Sequence, residues 1–226
     1  MSDQSWLTLL QGNSGYTPSV GKAIAVIRAS QMEQACQMAK AVAMGGIQLI
    51  EITWNSDRAA EIITHLRSEL PTCTIGTGTL LTLQQMEHAI AVGTQFLFTP
   101  HVDRAMIEAA VQRSVAIIPG ALSPTEIVTA WAMGASCVKV FPVQAMGGVN
   151  YIKSLQGPLS HIPLIPTGGV TLENAREFIL AGAVAVGLSG ELFPHQLVVA
   201  EDWEAIAGRA KNLIQQLATK EKLQIQ

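Results

Sequence analysis

This chain of 226 residues is short of charge: Asp, Glu, Lys and Arg make up 14% of it, and aromatic residues only 5%. With a formal net charge of -3, it offers no basic surface for a phosphate backbone, so nucleic acid is not an expected partner. It also has no apolar run long enough to span a bilayer, so no membrane partner is expected. The opening MSDQSWLTLLQG lacks a basic start followed by an apolar core, and no secretory leader is expected. Cysteine is scarce. Cys36, Cys73 and Cys137 are odd in number, far apart and flanked by apolar residues, so they read as buried free thiols of a cytoplasmic protein. They form no CxxC or Cys/His cluster, and a metal site is not expected. GxGxxG is also absent after the first apolar run, which removes the usual sign of a dinucleotide cofactor.

What is present is alternation. Short apolar runs occur at 23–27, 47–52, 73–76, 95–98, 115–118, 137–140, 163–166 and 184–187. Apolar along most of their length, they suit parallel strands covered on both faces. Helical patterns lie between them. Ser30 with Glu33 has capping-box spacing, and Gly45–Gly46 closes that segment. Asp103 caps 104–112, and Ser123-Pro124-Thr125-Glu126 opens another helix that ends at Gly134. A last one runs from Thr171 to Gly182. Met32, Met38, Met44 and Met86 are read as core filler. Eight strand–helix units in one domain predict a (β/α)8 TIM barrel over 21–226, after a short N-terminal extension, 1–20, that is expected to be helical.

A barrel of this kind puts its site at the C-terminal ends of the strands. Lys139, between two valines of a buried strand, must be paired or deprotonated, and a neutral amine can condense with a ketone. Glu51 should point inward near the same level, as a proton shuttle or as an ion-pair partner for Lys139. Both readings stand at this point. Gly168 and Gly169 after strand seven, with Ser189 and Gly190 after strand eight, suit a phosphate cradle at a helix N-terminus. Arg28 ends strand one and offers a fork for a carboxylate, to which Thr79 could add a hydroxyl. Phe141 suits either the substrate's apolar side or the core, and His101 stands at the same end of the barrel.

The motifs IEIT around Glu51, GTGTL, the Thr-Pro of FLFTP, IIPG, VKVFP around Lys139 and PTGGV resemble, in order and spacing, those of the bacterial 2-keto-3-deoxy-6-phosphogluconate (KDPG) / 4-hydroxy-2-oxoglutarate (KHG) aldolases. The resemblance covers about residues 22–193. It implies a class I, cofactor-independent lyase giving pyruvate and glyceraldehyde 3-phosphate, or glyoxylate from the KHG substrate. It implies Lys139 as the imine-forming lysine and Glu51 as general acid/base. Thr79, Pro100 and Phe141 would lie at the pyruvate end, and Gly168, Gly169 and Ser189 would bind phosphate. It also implies a homotrimer. Where many members carry an arginine four residues after the glutamate, this chain has Asn55, so the carboxylate is assigned to Arg28. The EITWNS segment resembles relatives acting on the galactonate epimer. A phosphosugar isomerase or epimerase, or a non-catalytic phosphate-binding barrel, is the alternative of another class.

Overall fold

The computed structural model describes residues 22–218, and the helical extension expected over 1–20 lies outside them. Strands and helices alternate. β1 (Ala23–Ile27), β2 (Leu49–Thr53), β3 (Thr74–Gly78), β4 (Phe96–Phe98), β5 (Ala116–Ile118), β6 (Gly120–Ala121), β7 (Val138–Val140), β8 (Leu164–Pro166) and β9 (Val186–Leu188) are the strands. Between and after them come α1 (Met32–Met44), α2 (Ala59–Glu69), α3 (Leu83–Ala91), α4 (Arg104–Gln112), α5 (Pro124–Ala132), α6 (Val149–Leu159), α7 (Ala175–Leu180), α8 (His195–Val199) and α9 (Trp203–Ala218).

The pairing is parallel throughout, in a six-stranded sheet ordered β5-β4-β3-β2-β1-β9 and a three-stranded sheet ordered β6-β7-β8. Pro119 separates β5 from β6. Having no N–H to give to a ladder, it marks where the strand exchanges β4 for β7 as partner. At the other seam an isolated parallel bridge joins Thr167 to Gly187.

Two buried clusters reflect the period-two geometry of strands. The larger lies between strands and helices. The smaller contains Ile24, Leu49, Phe96, Phe98, Ala116, Ile118, Cys137, Ile165 and Ala185, which come from successive strands and share the inward face of the curl. β3 adds glycine to that face: a Cβ on Gly76 would sit 2.2 Å from the Phe96 ring. All three cysteines are buried, and none is in a disulfide. Among the described residues no helix is long and apolar enough to cross a membrane.

Most of the helix punctuation is as expected. Asp103 accepts from the Met106 N–H at 2.8 Å, and Ser123 with Glu126 forms a full capping box. The Glu126 carboxyl is held below its ordinary pKa by backbone N–H donors from Ser123 and Leu122. Replacing Ser123 with Ala should lower stability by about 1 kcal/mol, measurable in urea melts, with activity unchanged.

Three expectations fail locally. α1 is capped at Gln31 rather than Ser30, and no side-chain bond forms there, because Ser30 lies one residue too early. α7 begins at Ala175 rather than Thr171. Thr171 and Asn174 exchange side-chain-to-backbone bonds of 2.7 and 3.1 Å, and this turn delays the helix. Met44 is 82% exposed on the last turn of α1, whereas Met38 and Met86 are core.

Candidate active site

Most of the residues singled out from the sequence for the site line one cavity of about 620 Å³. Arg28 follows β1, Glu51 lies within β2, and Thr79 and Pro100 follow β3 and β4. Lys139 lies within β7 with Phe141 just beyond it, Gly168 and Gly169 follow β8, and Ser189 follows β9. The cavity thus opens at the C-terminal edge of the strands. Lys139 and Phe141, Glu51 and Thr53, and Val26 and Arg28 are i, i+2 pairs, so each strand turns two successive inward residues to the same space.

Lys139 is only 7% exposed. Its Nζ sits 4.7 Å from the centre of the Phe141 ring and 5.5 Å from that of Phe98. Phe98, Ile118, Cys137 and Ile165 belong to the inner cluster beneath it, so the amine stands on an apolar floor. Glu51 is 2% exposed, and its carboxyl is pushed above the ordinary carboxylate range by burial. The positive charges of Lys139 and then Arg28 pull it back in part. Such a carboxyl can hold or release a proton closer to neutral pH than a solvated one.

Thr79 has φ 59°, a left-handed conformation that a β-branched residue adopts only under constraint. Gly168 and Gly169 have φ 81° and 97°. A Cβ on Gly169 would meet Gln144 Cβ at 2.3 Å, so this turn needs glycine twice over, for conformation and for space. It does not sit on a helix N-terminus as expected, because α7 starts only at Ala175. Ser189 instead opens a tight turn, its carbonyl accepting from Leu192 and Phe193 N–H at 2.9 and 3.1 Å.

Arg28 and Asn55 part company. A neighbouring cavity of about 730 Å³ shares Arg28, Ser189 and Gly190 with the first, and Asn55 lines only this second one. His101 and the Pro119–Gly120 segment do not line the central cavity. Thr53 and Glu191 do, and were not given roles from sequence. The period-two rule applied outward from Glu51 would have found Thr53.

Fold and cavity together describe an α/β enzyme with its site at the strands' C-terminal edge. Residues 18–208 match the family model for KDPG and KHG aldolase, and the chain belongs to that family. The 2-dehydro-3-deoxy-phosphogluconate aldolase of Dickeya dadantii is 30% identical over 196 residues, covering 87% of this chain and 92% of the relative. The KHG/KDPG aldolase of Escherichia coli is 29% identical, with 87% and 92% covered. Among solved structures, the KDPG aldolase of Legionella pneumophila, with pyruvate captured as a covalent carbinolamine, aligns with a TM-score of 0.80 at 28% identity. That alignment covers 86% of this chain and 95% of the other.

Proposed function

We propose that the chain is a class I aldolase that cleaves KDPG, or its galactonate epimer, to pyruvate and glyceraldehyde 3-phosphate through a Schiff base on Lys139. The observation that carries this reading is a buried lysine and a buried glutamate of raised pKa in one cavity, with Arg28 beside them and a double-glycine turn in its wall. The carbinolamine captured in the Legionella relative supports the same chemistry.

The Lys139 amine adds to the C2 ketone, and the carbinolamine loses water to give an iminium ion. Glu51 supplies the proton that leaves with that water, then takes the C4 hydroxyl proton through a water. The C3–C4 bond breaks, its electron pair flows into the iminium, and glyceraldehyde 3-phosphate departs as the aldehyde. Glu51 returns a proton to C3 of the enamine, and hydrolysis frees pyruvate and Lys139. The Arg28 guanidinium holds the substrate carboxylate in place of the arginine absent at Asn55, with the Thr79 hydroxyl as a second donor. Pro100 and Phe141 close the pyruvate end. The phosphate lies against Gly168, Gly169 and Ser189, where the turns leave backbone open to the cavity.

The finer architecture belongs to the same reading: the two sheets form one closed eight-stranded ring, with β5 and β6 as a single strand interrupted at Pro119. The Thr167–Gly187 bridge and the shared inner cluster support it. Residues 21–226 then make up the catalytic domain, and the working unit is a cytoplasmic homotrimer.

The test is borohydride reduction in the presence of pyruvate, followed by peptide mass spectrometry. A pyruvyl adduct on Lys139 is expected, and its absence removes the aldolase mechanism. Steady-state rates on both C4 epimers and on unphosphorylated KHG then measure what the phosphate contributes. Equal kcat/KM with and without phosphate would strip Gly168, Gly169 and Ser189 of their role.

A further inference from the structure

Gly78 and Gly76 stand at successive inward positions of β3, and both lack side chains for reasons of space rather than conformation. The gap at Gly76 is filled by the Phe96 ring, which is a matter of packing. The gap at Gly78 is filled by a carboxyl group. A Cβ built on Gly78 would lie 1.8 Å from Glu51 Oε1, 2.5 Å from Cδ and 3.1 Å from Cγ. The reason is register: Glu51 pairs with Gly76 and Thr53 with Gly78, so the Glu51 side chain leans diagonally onto the next inward position of the neighbouring strand.

We infer that Gly78 is the positioning residue for Glu51: the absence of its side chain forms a slot that fixes the carboxyl flush against β3 and aims it into the cavity. This rests on the proton-transfer role of Glu51 proposed above. The slot wall cannot yield easily. The Trp54 N–H donates to the Gly78 carbonyl at 2.7 Å, and Thr77 Oγ1 donates to the Ile52 carbonyl at 2.7 Å, tying β2 and β3 together on either side. A methyl group at Gly78 therefore displaces the carboxyl rather than the strand. The carboxyl must then swing out of the slot and into the space that substrate occupies.

The decisive variants are Gly78→Ala, Glu51→Asp and the double variant. Gly78→Ala is expected to lower kcat by roughly 10- to 100-fold, to move KM little, and to leave the pyruvyl adduct on Lys139 intact. Glu51→Asp shortens the arm by one methylene. It lowers kcat when Gly78 is present but raises it in the Gly78→Ala background, because the shorter carboxyl clears the methyl group. Loss by the same factor in both backgrounds overturns the inference, as does an unchanged kcat in Gly78→Ala.

A thermal cycle guards against simple misfolding. Gly78→Ala should lower the Tm of the wild type and have little effect on Glu51→Ala, where the slot is vacant. Equal loss in both, or failure of both to fold, overturns the inference. This arm measures only the steric contact, so it keeps its meaning even if wild type forms no pyruvyl adduct and the aldolase reading itself fails.

Discussion

Lys139→Met is expected to remove turnover by on the order of 10³-fold or more, a loss of about 4 kcal/mol in barrier stabilisation. It should also remove the borohydride-trapped pyruvyl adduct completely. Methionine suits the position: it has a similar length, is unbranched and apolar, and its sulfur would face the Phe98 and Phe141 rings that now lie beside Nζ. The apolar floor of Ile118, Cys137 and Ile165 accepts it equally well. Folding should therefore survive, and circular dichroism with a melt separates loss of chemistry from loss of structure. None of Lys22, Lys40, Lys153 and Lys211 lines the cavity, so no other described lysine can take over. Activity within tenfold of wild type, or an adduct on a different lysine, would sink the mechanism.

The second large effect is at Glu51. Glu51→Gln keeps the shape but cannot exchange protons, and kcat should fall by roughly 10²- to 10⁴-fold. The adduct with pyruvate should still form, though more slowly. The same variant has an opposite signature in stability. Burial holds the Glu51 carboxyl above its ordinary value of 4.5, and Lys139 and Arg28 offset this only partly. Between the unfolded and the higher folded pKa, the native state keeps a proton that the unfolded chain has lost. Wild-type stability from this group is therefore full below the unfolded value and falls as pH rises through the window. Glutamine has no such fall. The Tm of Glu51→Gln minus that of wild type should become more positive as pH rises from the ordinary carboxylate value of 4.5 through the higher folded one. A difference that is flat or falls with pH would mean that the carboxyl is not held above its ordinary value. Activity and stability thus move in opposite directions at one residue.

Much of this was legible from residue order. Apolar runs separated by amphipathic stretches can be packed in few ways, and the observed strands fall within or beside each of them. Lys139 and Glu51 were visible because charged residues inside apolar strands are costly and therefore rare. What escaped was what depends on contacts between strands. The exchange of partners at Pro119 becomes visible only when β4 and β7 flank the same strand. Ser30 matched a capping pattern, but whether a hydroxyl reaches the N–H is set by where the backbone turns, and it turns one residue later. The Thr171–Asn174 turn fits the same local alphabet as a helix start, and Asn174 shifts the outcome by bonding to the backbone. Gly78 in GTGTL was given no role from sequence, and its relation to Glu51 emerges only from the register of β2 on β3. Spacing alone could not rank Asn55 against Arg28; both line the second cavity, and of the two only Arg28 also lines the one that holds Lys139.

The residues around the central cavity come from seven separate strand ends, from Arg28 near the start of the described chain to Ser189 far along it. No contiguous fragment holds both Arg28 and Ser189 unless it also holds every strand between them. A partly folded chain, even one with native helices, lacks this cavity, and on the function proposed above it has no place for substrate. Enzymatic activity in this protein is therefore an all-or-none gauge of the finished sheet, and its recovery after dilution from denaturant times the arrival of the last strand rather than the first.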